Sequence, residues 1–86
     1  MLHIEATHTF MKLYKKLPAE IKNKAKRALE TLQNNPSHPS LGHKKMTGYS
    51  NIYELRVSDN YRITYQRIDN TAYLRKIGTH DLLRHP

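Results

Sequence analysis

Tyr53-Glu54-Leu55-Arg56-Val57-Ser58-Asp59-Asn60-Tyr61-Arg62-Ile63-Thr64-Tyr65-Gln66 alternates apolar and polar residues on both sides of Asp59-Asn60. A period of two marks a half-buried strand, and Asp and Asn are turn formers. The stretch therefore reads as two antiparallel strands, at about Ile52–Ser58 and Tyr61–Arg67, joined by a tight turn. Successive side chains leave opposite faces of a strand. Tyr53, Leu55 and Val57 thus share an apolar face with Tyr61, Ile63 and Tyr65. Glu54, Arg56, Ser58, Arg62, Thr64 and Gln66 take the other face, predicted to lie open to solvent. Two arginines on neighbouring strands of one exposed face make a candidate anion site.

Toward the C-terminus, Asp69-Asn70 turns the chain into a further strand at about Thr71–Ile77. Gly78 is expected to let the chain turn there, bringing His80 to the rim of the open face. Toward the N-terminus, a weak strand around 42–47 leads into a turn at Gly48-Tyr49-Ser50-Asn51, and Pro36 and Pro39 break up a loop over 36–40. Ile21, Ala25, Ala28, Leu29 and Leu32 form the apolar stripe of a helix over about 18–33, with Lys22, Lys24, Lys26 and Arg27 pointing elsewhere. Asn34-Asn35-Pro36 ends that helix. An earlier helix carries Phe10, Leu13, Tyr14 and Leu17, with Thr7 or Thr9 as its cap and Pro18 as its stop. Leu2, Ile4 and Ala6 alternate as a first strand. The fold class is α+β: an N-terminal strand and a helical hairpin packed on a twisted, mainly antiparallel β-sheet.

Eighty-six residues make one small domain, taken as 1–86. Fifteen Lys and Arg against seven Asp and Glu give a net charge of +8, which attracts polyanions. No apolar run approaches the ~20 residues of a membrane span, and the N-terminus lacks the form of a signal peptide, so a cytoplasmic protein is expected. There is no cysteine, and the six histidines are scattered without the i, i+4 spacing of a zinc motif. Neither a metal nor a cofactor is expected. Arg56, Arg62 and His80 are groups able to hold and cleave a phosphodiester, and the sheet would bring them together. RNA cleavage is the leading expectation.

Lys15-Lys16-Leu17-Pro18 followed by Asn34-Asn35-Pro36, the strand pair Tyr53–Val57 with Tyr61–Tyr65, and Ile77-Gly78-Thr79-His80-Asp81-Leu82-Leu83 occur in the order seen in one family. With these features the chain resembles the RelE/ParE superfamily of toxins from type II toxin–antitoxin modules. Its Gly-Thr-His ending is similar to that of the YafQ-like branch. The resemblance implies a ribosome-dependent endoribonuclease that cuts mRNA and is silenced by a cognate antitoxin. It implies attack by the RNA's own 2′-hydroxyl, leaving a 2′,3′-cyclic phosphate, without a metal. His80 becomes the expected general acid or base. Arg62 and Arg56 become the phosphate clamps, although YafQ-like toxins carry a histidine where Arg56 stands. Lys44 and Lys45 lie where the family places a hairpin base or cation. Tyr53, Arg75 and His85 join them as expected RNA-binding residues. Two departures stand out: there is no tryptophan near Tyr53, and no late aromatic follows Leu83.

Plainer readings compete with these assignments. Arg56 and Arg62 pair with Glu54 or Asp59 in one alternative, and His80 merely caps a turn or pairs with Asp81 in another. Lys44-Lys45 is also a charged strand edge of the kind that deters sheet-to-sheet pairing. At the level of function, the alternatives are a ParE-like DNA gyrase inhibitor acting by contact and a non-catalytic module that keeps only antitoxin binding.

Overall fold

Thr7 starts the first helix by making two hydrogen bonds with one hydroxyl. Its Oγ1 accepts from the Phe10 N–H at 3.2 Å and donates to the Leu74 carbonyl at 2.6 Å, so the cap also ties the helix to the sheet. The computed structural model describes residues 1–86. In chain order it contains β1 (His3–Ala6), α1 (His8–Lys15), α2 (Ala19–Asn34), a 3₁₀ turn (Pro39–Leu41), β2 (Lys44–Lys45), β3 (Ile52–Arg56), β4 (Tyr61–Ile68), β5 (Thr71–Thr79) and a second 3₁₀ turn (His80–Arg84). Pro18 caps α2 from the position before it, where a missing N–H costs nothing. The expected β2 shrinks to two residues, and β5 extends through Thr79 instead of ending at Ile77.

The five strands lie in the order β1-β5-β4-β3-β2. β1 pairs with β5 in parallel, and the other neighbours are antiparallel. The apolar face expected from the alternation is present: Leu55, Ile63 and Tyr65 are fully buried beneath Phe10 of α1 and Ala25 and Leu32 of α2. A register shift between β4 and β5 falls at Thr64/Tyr65, where Thr64 faces Lys76 but Tyr65 faces Leu74. Arg75 is the extra residue. Strict alternation would send Leu74 and Ile77 to opposite faces, and the bulge turns both into the core.

The opposite face is not open, which corrects the reading from alternation. The chain after β5 folds back across it. Pro86 presents its carbonyl to Thr64 Oγ1 at 3.2 Å and to Arg75 Nε at 3.1 Å, and Lys76 Nζ donates to the His85 carbonyl at 2.6 Å. Thr64 is consequently fully buried. Gly78 is not a turn either: it lies inside β5, where a Cβ would stand 3.3 Å from Leu82 Cδ2. Its role is to let the returning segment lie close.

Candidate active site

Strand register places the expected catalytic residues at one end of the sheet. Arg56 faces Arg62 across β3 and β4, and Arg62 faces Gly78 across β4 and β5. Tyr61 pairs with Thr79, so His80 emerges one residue beyond that row. It is exposed and lines a cleft of about 520 Å³ with Asn60, Tyr61, Thr79 and Asp81. An imidazole at the mouth of a cleft is well placed to exchange a proton with a bound hydroxyl.

The two arginines are occupied differently from the expected phosphate clamp. Arg62 Nη1 donates to the carbonyls of Ser58 at 2.6 Å, Tyr61 at 2.9 Å and Asp59 at 3.3 Å. Its Nε lies 3.8 Å from Glu54 Oε2, with both side chains largely covered. Arg62 therefore braces the β3–β4 turn. Arg56 reaches the other way, pairing its Nη2 with Asp59 Oδ1 in an exposed contact and passing close to Gly42. The ion-paired alternative describes both residues. Arg56 and Arg62 stay near His80 in register, but their guanidiniums do not enter the cleft that His80 lines.

Lys44 and Lys45 are exposed on β2 and line a separate groove of about 340 Å³ with Tyr49, Glu54, Leu83 and Arg84. The C-terminal turn thus has His80 in one cleft and Arg84 in another. Arg75 is half-buried and held by the Pro86 carbonyl, while the His85 ring is exposed. Tyr53 is half-buried: its ring stacks on Tyr65 at 5.4 Å and meets the edge of His43 at 5.1 Å.

His43 was not singled out by the sequence pattern, because it stands in an irregular stretch just before β2. Its Nδ1 lies 3.3 Å from the Pro36 carbonyl, which can only accept, so Nδ1 carries the proton in the neutral ring. Nε2 then accepts from the Tyr65 hydroxyl. Burial pushes that hydroxyl up to about 12, against the opposing pull of Arg67. The result is a brace between the loop after α2 and the middle of β4, immediately beside Lys44. Arg84 was missed for a related reason: only the fold-back of the C-terminal turn brings it to β2.

Comparison with known proteins narrows what this arrangement belongs to. Residues 19–81 match the family model of the ParE-like toxin domain. The chain is 37% identical over 71 residues to toxin RelE3 of Methanocaldococcus jannaschii, covering 80% of each protein. It superimposes on the crystal structure of the RelB–RelE antitoxin–toxin complex from Methanococcus jannaschii with a TM-score of 0.77 and 30% identity, over 94% of this chain and 98% of that one. The fold is shared with YafQ in the E. coli DinJ–YafQ toxin–antitoxin complex, at a TM-score of 0.78 and 20% identity, over 96% of this chain and 98% of that one. This chain belongs to the RelE/ParE superfamily of toxins from type II toxin–antitoxin modules, and a RelE toxin is among its relatives in sequence.

Proposed function

We propose that the protein is a ribosome-dependent mRNA endoribonuclease in which His80 is the general acid or base. The observation that carries this reading is the exposed imidazole in its cleft at the end of the Arg56–Arg62–Gly78 row. Cleavage of this kind joins the RNA 2′-oxygen to the adjacent phosphorus and expels the 5′-oxygen, leaving a 2′,3′-cyclic phosphate. One group must take the 2′-hydroxyl proton, and another must return a proton to the departing oxygen. The crowded phosphorane between them is negative and is stabilised by nearby cations. Lys44, Lys45 and Arg84 supply positive charge on the second groove, and Tyr53, Arg75 and His85 are the remaining RNA-binding candidates. Arg62 contributes as a positioning residue through the turn that carries Asn60 and Tyr61, and Arg56 as an exposed cation. The reaction uses side chains alone and takes place in the cytoplasm, where translation occurs. An antitoxin silences the enzyme, as the assembly of the archaeal relative with RelB suggests. The whole of 1–86 acts as one toxin domain.

Primer extension on a message translated in a cell-free system tests the assignment. Wild-type protein is expected to produce discrete cuts only while translation proceeds. His80→Ala is expected to lower cutting at least 10²-fold, the low end for a general acid–base group, with its thermal unfolding unchanged. Intact message in the presence of the folded wild type defeats the nuclease reading. The match to a ParE-like domain then favours gyrase inhibition, which a DNA supercoiling assay reads directly.

A further inference from the structure

α2 has a second face beside its buried stripe. Lys24, Arg27, Ala28 and Thr31 follow i, i+3, i+4, i+7 spacing and border a groove of about 300 Å³. Ser40 and Leu41 form one part of the far wall, and Arg56 with Val57 forms the rest. Three cations thus converge on a groove whose lining contains no carboxylate. Their competing partners lie outside it and are weakly held. Glu20 stands 3.6 Å from Lys24 Nζ with its side chain 78% exposed, and Asp59 on Arg56 is 88% exposed. Exposed pairs of this kind contribute little, so an arriving anion displaces them without stranding a buried charge.

We propose that this groove is a phosphate-binding subsite for the RNA strand, separate from the His80 cleft. The inference rests on the ribonuclease reading for the identity of the polyanion. Continuity with that cleft favours RNA over an acidic peptide. Arg56 and Val57 line the groove, whereas Asn60 and Tyr61 line the cleft, and only Ser58-Asp59 separates them in the chain. The step from Val57 to Asn60 is three residues, at most ~11 Å even fully extended. A strand with a charge at every nucleotide lies across the β3–β4 turn and reaches both clefts within a few nucleotides. The turn itself is rigid enough to act as a ridge, because Arg62 clasps its carbonyls from within. Lys24 and Arg27, which the sequence pattern places only off the apolar stripe of α2, become residues that set how the substrate is laid.

The test measures binding apart from cleavage. A short, fluorescently labelled single-stranded RNA with 2′-O-methyl groups lacks the attacking hydroxyl, so its anisotropy reports association only. Wild type is compared with Lys24→Ala/Arg27→Ala and with Lys12→Ala/Lys15→Ala, which removes the same charge from exposed positions on α1. The groove variant is expected to bind about tenfold more weakly and to flatten the log K against log salt slope by ~1.4, at roughly 0.7 per lost single-strand phosphate contact. The α1 variant should change binding much less, with all three proteins melting alike. Equal weakening by both variants overturns the subsite in favour of general charge, and unchanged binding by the groove variant overturns it outright. Loss of an oligoglutamate ligand by the groove variant, with RNA binding intact, overturns it in favour of an acidic peptide. Cleavage is judged separately with His80→Ala in the translating extract, so the enzyme reading stands or falls independently.

Discussion

Arg56 and Arg62 face each other across two strands, yet their guanidiniums serve different ends because of what lies within reach of each. The N–H groups of Val57 and Ser58 both donate to the Tyr61 carbonyl, which kinks the end of β3 and presents the turn carbonyls to Arg62. Removing Arg62 leaves those carbonyls and the largely covered Glu54 without their cation. Arg62→Ala is therefore expected to lower unfolding free energy by about 3 kcal/mol in a urea titration, in the range of a broken buried pair. Arg56→Ala should stay within ~0.5 kcal/mol. Tyr65 carries a pH signature. Its folded pKa, about 12, lies above its ordinary value of 10.0, so its contribution is intact below pH 10 and is lost as pH rises toward 12. Tyr65→Phe should reduce the fall in stability across that window and cost ~1 kcal/mol at neutral pH through the lost His43 bond. The alternation of residues revealed that the arginines share a row. It also offered Glu54 and Asp59 as their ion partners, but not the carbonyls that hold Arg62, because a local kink exposes those.

The elements themselves were more legible than their lengths. Thr7, Pro18 and the turn residues mark boundaries through local chemistry, and local chemistry is what a sequence carries openly. The expected effect of Thr7→Ala is a loss of about 1–2 kcal/mol by thermal or urea unfolding, at the upper end for a helix cap because the same hydroxyl also holds Leu74. β5 runs past its expected end because Gly78 continues the strand instead of turning the chain, and its apolar residues break phase between Leu74 and Ile77. A bulge restores them to one face, and Arg75 is the residue it displaces. The phase break was a visible signal of that bulge. By contrast, β2 is specified by pairing with Glu54 and Tyr53 more than by its own residues, Lys44 and Lys45. Nothing within it predicts so short a strand.

On the scale of the whole molecule, the +8 charge was plain from composition, but its arrangement depended on the fold. The C-terminal turn covers the face that alternation alone leaves bare, and the cations fall into separate grooves. Affinity for single-stranded RNA is expected to fall linearly with salt on logarithmic axes, a trend that filter binding at several ionic strengths would read. Sheet order carries a further consequence. β1 has β5 as its sole neighbour, and even the cap of α1 borrows a carbonyl from Leu74. Residues 3–6 must wait for residues 71–74 before either can settle. Contacts so far apart in sequence slow folding, and they also make maturation all-or-none during synthesis. A nascent chain interrupted before residue 79 lacks the strand that completes its sheet and the histidine that follows it. Under the ribonuclease proposal, unfinished copies of the chain would thus be harmless to the translation that made them.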